Sequence, residues 1–177
     1  MNQIGNSSLR SLLTMGIGIA TTLLLLALPD GLVTNASDLS TRLFGRTYPV
    51  TQGYLNRSPL NPTPDGLHAG IDFGAPAGAV IRAARAGQIL TAGNSYGTVA
   101  VFDGQNTVIY LHLRKIYVSI DQKIPAGTPI GEVGGVGAPG GKAHLHLEVR
   151  RGKHALAVYT NSGKSTAELT LDPSQYM

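Results

Sequence analysis

The sequence predicts an all-β fold, an antiparallel β-sandwich, on three observations. Twenty-three glycines and ten prolines among 177 residues divide the chain into short segments,. Those segments are rich in Val, Ile, Leu, Thr and Tyr, the residues that suit pleated strands. No long helix is expected beyond the N-terminal segment, and the length fits one domain behind a short leader.

Met1–Ser11 carries one charge, Arg10, and is followed by a charge-free apolar stretch from Leu12 to Leu28. That stretch is longer than a usual signal core of about 7–15 residues and shorter than the roughly 20 that span a bilayer. Residues 1–36 are therefore read as a signal peptide or a membrane anchor, with a small-residue cleavage point after Ala36 in the first case. Residues 37–47 follow as a polar spacer, with one short helix expected over Asp38–Arg46. The domain proper is expected over 48–177. Its first strand is placed at Tyr48–Tyr54, before a Pro- and Gly-containing loop from Asn56 to Gly66. Strands then follow at Gly70–Phe73, Ala79–Ala83, Gly87–Ala92, Thr98–Phe102, Thr107–Leu113, Pro129–Val133, Ala143–Arg150 and Ala155–Tyr159. The pairs Ala77-Gly78 and Ala126-Gly127 precede Val80-Ile81 and Pro129-Ile130, which hints at internal duplication. The tail, through Leu169, Leu171 and Pro173, is expected to dock on the sheet.

Cysteine is absent, so any transition-metal site must be built from imidazole and carboxylate. The net charge of +4 suits an anionic partner. The 14 basic and 10 acidic residues are spread along the chain without a basic block, which argues against nucleic acid,. Membrane contact is expected only through the N-terminal segment.

Four of the five histidines fall in three short motifs: His68 with Asp72 in His-Ala-Gly-Ile-Asp, His112 in Tyr-Leu-His-Leu, and His144 with His146 in His-Leu-His-Leu-Glu. Strand alternation puts His144 and His146 on one face and Leu145 and Leu147 on the other. The same period puts Tyr110 beside His112. Gly70 and β-branched Ile71 argue that His68 and Asp72 lie on a loop running into a strand. A catalytic zinc takes three protein ligands and keeps one open position, a set that two His and one Asp supply. The remaining imidazoles are then available to move protons. Three polar residues set singly among apolar neighbours would cost stability without such a return. Glu148 shares the face of His144 and His146, where it either accepts from a ring N–H or is exposed. His154, which follows Arg150, Arg151 and Lys153 around Gly152, is read as a solvated turn residue, and Asp65 as a turn residue.

These motifs, in this order, resemble the lysostaphin-like or LytM-like zinc endopeptidases. The likeness runs from about residue 48 to 151, through His-Ala-Gly-Ile-Asp-Phe-Gly-Ala-Pro-Ala-Gly, Tyr-Leu-His-Leu, Gly131-Glu132-Val133-Gly134 and His-Leu-His-Leu-Glu-Val-Arg. It implies a sandwich of duplicated-hybrid type, Zn²⁺ held by His68, Asp72 and His146, and His112 and His144 as catalytic residues. It also implies an exported enzyme, in the periplasm, cell wall or medium, that cuts peptides of bacterial peptidoglycan. The chain departs from the family at Phe102-Asp103-Gly104-Gln105, where Asp-His-Gly is usual. It departs again at Pro139-Gly140-Gly141-Lys142-Ala143, where Ser-Thr-Gly precedes His-x-His. Both segments are expected at the substrate groove.

Three other readings compete. A non-catalytic wall-binding or hydrolase-activating module of the same family would be expected to have lost site residues, and all five persist. A histidine phosphocarrier is cytoplasmic, at odds with the leader, and a biotinyl or lipoyl carrier needs a Met-Lys-Met that is missing. The pattern Gly135-x-Gly137-x-x-Gly140 mimics a dinucleotide fingerprint, but Pro139 interrupts it and a strand follows.

Overall fold

The computed structural model describes residues 36–157 and 163–177. The apolar leader and the end of the strand expected over Ala155–Tyr159 lie outside them. Ala155–Ala157 themselves are irregular. Among the described residues no helix is long and apolar enough to cross a membrane.

The chain is an antiparallel β-protein with few helices. The strands are β1 (Val50–Gln52), β2 (Gly70–Phe73), β3 (Val80–Arg82), β4 (Gly87–Ala92), β5 (Val99–Phe102), β6 (Asn106–Leu111), β7 (Leu113–Ile116), β8 (Lys123–Ile124), β9 (Pro129–Val133), β10 (Leu145–Arg151) and β11 (Thr170–Leu171). The large sheet runs β1-β2-β10-β6-β5-β4-β8 and the small one β3-β9-β7. One hydrophobic cluster joins them, with Phe73, Ile89, Val99, Leu145 and Leu147 from the large sheet and Ile81, Leu113, Ile130 and Val133 from the small one. β11 pairs with Val149 and Arg150, where β2 no longer covers β10, so the tail docks as expected.

The Ala-Gly pairs mark a real symmetry. Gly78 N–H donates to Val133 O and Val133 N–H to Ala79 O, while Gly127 N–H donates to Ala83 O and Ala83 N–H to Thr128 O. Two like turns thus clamp opposite ends of the antiparallel β3/β9 pair.

The stretch read as a polar spacer forms helix α1 (Ala36–Phe44), with Asp38 in its first turn and Arg42 in its last, each favourable to the helix dipole,. Leu39 and Leu43 are fully buried in the main core. Ser40 accepts from Tyr48 N–H at 2.7 Å, which pins the chain as it leaves the helix. Two short helices, α2 (Thr166–Leu169) and α3 (Pro173–Tyr176), interrupt the tail. Asp65 does more than turn the chain: it accepts from the Thr166 N–H and hydroxyl, tying the loop before His68 to the tail.

Because α1 supplies core side chains, Leu39→Ala should lower unfolding stability by about 2–5 kcal/mol. Denaturant titration would register this as a lower midpoint at unchanged slope. A change below about 0.5 kcal/mol, the level of a surface substitution, would mean that α1 merely lies against the domain.

Candidate metal centre

The site lies on the face of the large sheet that is turned away from the main core. β10 pairs with β2 so that His146 stands opposite Asp72 and Glu148 opposite Gly70. On its other side His146 stands opposite Leu111. Gly70 is required here, because a Cβ at that position would lie 2.1 Å from Leu147 O. Leu145 and Leu147 fill the core beneath, so alternation delivers His146 to the site as the sequence predicts.

His68 arrives from the loop before β2, held by the bridge between Arg57 and Leu67 and by the bond from its own N–H to Asn56 O. Its Nε2 lies 3.0 Å from His146 Nδ1 and 3.2 Å from Asp72 Oδ1, and His146 Nδ1 lies 2.9 Å from that same oxygen. The three donor atoms form a nearly equilateral triangle. Its edges are slightly shorter than the roughly 3.3 Å expected between ligands about 2.0–2.1 Å from a tetrahedral zinc. His68, Asp72 and His146 thus form a group able to hold a metal ion.

His144 precedes β10, bridged to Gly134, and its Nε2 lies 3.9 Å from the second Asp72 oxygen. His112 comes to the site by a different route from the one expected. Tyr110 does not share its face: Tyr110 is buried in the main core with its hydroxyl accepting from Ala84 N–H, while Leu111 joins a second cluster on the opposite face. Alternation would have turned His112 into the core as well. Instead the strand breaks at His112, whose φ is +70°, a left-handed conformation uncommon outside glycine. The break separates β6 from β7 and turns the ring to within 4.6 Å of the His144 ring. Tyr96 O and Gly97 O accept from the His112 and Leu113 N–H groups and hold the break.

Each ring is anchored through one nitrogen. Nδ1–H of His68 donates to Gly53 O at 3.0 Å, that of His112 to Val136 O at 2.8 Å, and that of His144 to Lys142 O at 2.9 Å. These bonds place a proton on Nδ1 and aim Nε2 of all three rings into the site,. His146 is the reverse: Nδ1 points into the triangle and Nε2 lies 3.6 Å from Glu148 Oε2.

Burial holds the His112 ring down to about 4, so it is neutral at pH 7. Burial acts on His146 in the same sense, but hydrogen bonds and charge from Asp72 and Glu148 outweigh it and raise this ring to about 9. For Asp72 burial raises the pKa, and the bonds from His146 and His68 overturn that, holding the carboxylate well below its usual range. Without a metal, a proton on His146 Nδ1 therefore lies between this ring and the Asp72 carboxylate.

A groove of about 600 Å³ opens over these residues, lined also by Thr51, Gln52, Asn61, Tyr96 and Lys142. No local pattern marks Tyr96 or Asn61, which sit in turns with ordinary turn composition. Pro139, Lys142 and Ala143 line the groove as expected. The 102–105 segment is elsewhere: Asp103 binds Arg85 and the Tyr176 hydroxyl, beside a separate depression. The glycine pattern at 135–140 is a loop with a short 3₁₀ turn, and Val136 in it accepts from His112. His154 is half-buried, its N–H donating to Thr107.

The fold and the motif order His-x-x-x-Asp, then His-x-His, are those of a peptidase class. The chain belongs to Peptidase family M23, whose sequence pattern matches residues 66–158. It is 27% identical to the catalytic domain of the antimicrobial peptidase lysostaphin from Staphylococcus simulans, at a TM-score of 0.58 over 71% of this chain and 89% of that one. It is likewise 27% identical to a zinc-containing peptidase of Vibrio cholerae, at a TM-score of 0.50 over 58% of this chain and 33% of that one. An outer membrane antigenic lipoprotein B of Haemophilus influenzae is 36% identical over 91 residues, 49% of this chain and 22% of that protein. The chain therefore spans about a fifth of that relative's length.

In the metal-free protein the two shifted rings should act with opposite sign. His112 falls below the ordinary value near 6.5, so stability should drop as pH falls from about 6.5 towards 4. In that window the unfolded chain binds a proton that the folded chain refuses. His146 is raised, so its contribution is complete below about 6.5 and is lost as pH rises through about 9,. Imidazole NMR titration should find one ring titrating near each extreme. Two rings both titrating near 6.5 would contradict the proton-bridged triangle.

Proposed function

We propose that this protein is an exported zinc-dependent endopeptidase that hydrolyses peptide bonds in bacterial peptidoglycan. The observation that carries the reading is the convergence of His68 Nε2, Asp72 Oδ1 and His146 Nδ1 at the floor of an open groove. Membership of the peptidase family and likeness to an antimicrobial peptidase support it. On this reading residues 1–36 direct export or anchor the chain, and the remainder carries the site.

His68, Asp72 and His146 would hold the zinc. When bound, the ion supplies Lewis acidity toward a peptide carbonyl and toward water. The chain's own residues supply the rest. His112 and His144 line the groove with Nδ1 committed to backbone carbonyls, so each presents Nε2 to a substrate. Neutral His112 can accept a proton at pH 7, and His144 stands beside it to return one to a leaving amine or to donate to a developing oxyanion. The left-handed kink fixes His112 before substrate arrives, a form of preorganisation.

Two experiments test this. His68→Ala, Asp72→Ala and His146→Ala should lose most of their zinc on metal analysis. His112→Ala and His144→Ala should keep it while digesting purified sacculi about 10²–10⁴-fold more slowly. Zinc loss in His144→Ala with retention in His146→Ala would exchange their roles, and intact sacculi with zinc-loaded protein would remove the catalytic reading. Mass analysis of the fragments would name the bond cut. A reporter fused after Ala36 should be found outside the cytoplasm of a bacterial host. Its retention inside would remove the support for a wall substrate.

A further inference from the structure

We infer that Glu148 is a positioning residue for the metal centre, acting through His146; the inference rests on the metal reading above. Glu148 is 1% exposed although it carries a carboxylate. Its cross-strand partners are Gly70 and Ile109. A carboxylate taken out of water in such a setting needs a polar or charged counterpart. The His146 ring supplies one at 3.6 Å from Nε2 to Oε2.

The other three rings show what the contact is for. In His68, His112 and His144 a backbone carbonyl accepts from Nδ1–H, fixes the tautomer and aims Nε2. His146 is turned the other way round, with Nδ1 aimed at the triangle. Its Nε2 lies toward Glu148, and among the described residues no backbone carbonyl takes the part that Gly53, Val136 and Lys142 play for the other rings. The Glu148 carboxylate fills it. Two residues along one strand place the side chains on one face at the same edge, and Gly70, with no side chain, leaves room beside Glu148 on that face.

A carboxylate behind a ligating imidazole keeps the proton on the far nitrogen and the lone pair on the near one, and losing such a partner typically costs 10–100-fold in metal affinity. Glu148→Leu should therefore bind zinc about 10–100-fold more weakly in competition with a chromophoric chelator. Glu148→Gln keeps an acceptor oxygen and should stay within about threefold of the parent. Proton NMR of the zinc-loaded parent should show a slowly exchanging Nε2–H assigned to His146 that Glu148→Leu lacks. The His146→Ala variant separates the two readings. If it keeps its zinc, the ligand assignment is wrong. If it loses zinc while folded Glu148→Leu binds as tightly as the parent, the ligands stand and the positioning role is overturned. Should the leucine variant not fold, a rapidly exchanging Nε2–H in the parent would overturn the role by itself.

Discussion

The contact between His146 Nδ1 and Asp72 Oδ1 depends on one thing, the register in which β10 pairs with β2. In an antiparallel pair a slip by one residue exchanges the two faces. Here it would turn His146 into the core and Leu145 or Leu147 into the groove. The register is held from several directions. Leu145 and Leu147 are completely buried on the inner face, and the six-residue pairing with β6 fixes β10 from its other edge. Gly70 lets the two backbones approach where any Cβ would strike Leu147 O. The chemistry on the outer face is positioned by hydrophobic packing on the inner one.

That division explains which parts could be read from the sequence. His144-Leu-His146-Leu-Glu148 carries both faces in its alternation, so the shared face of the histidines was legible, as were β2, β4 and β9 with their bounds. His112 reaches the groove by a route that strand alternation does not supply. Strand alternation, continued through it, pairs it with Tyr110, yet Tyr110 is in the core. What rescues His112 is a single left-handed residue, held by carbonyls of a turn remote in sequence. No local pattern announces that. The same break conceals β7: the strand expected over Thr107–Leu113 takes in only its first residue. Helix α1 looked polar because only Leu39, Leu43 and Phe44 of its nine residues are large and apolar, and a docking stripe that narrow resembles a spacer. Groove residues such as Tyr96 and Asn61 depend on how distant turns come together, which spacing along one chain does not encode.

The electrostatics of the triangle follow from the same packing. Burial alone would discharge both Asp72 and His146, and each instead keeps the other ionised. The His68 and His146 ring nitrogens stand 3.0 Å apart, within hydrogen-bond reach of each other. In the metal-free protein the proton on His146 Nδ1 lies between this ring and the Asp72 carboxylate. On the proposed zinc reading, a metal held by this group would take the place of that proton.

This bears on why His144 and His146, two residues apart on one face, are suited to different work. His146 stands directly opposite Asp72 and meets the carboxylate oxygen that His68 also approaches. His144 lies past the end of the β2 pairing, reaches only the other oxygen, and does so at 3.9 Å. Its Nδ1 is tied to a carbonyl just two residues back, at Lys142, so the ring is aimed by the groove loop rather than by the sheet. The His146 ring is carried entirely by the sheet, between Asp72 on one side and Glu148 on the other. A metal ligand gains from the stiffness of paired strands, whereas a group that must give and take a proton gains from standing at the groove's wall beside His112. On the proposed assignment, the end of the β2/β10 ladder separates the two roles.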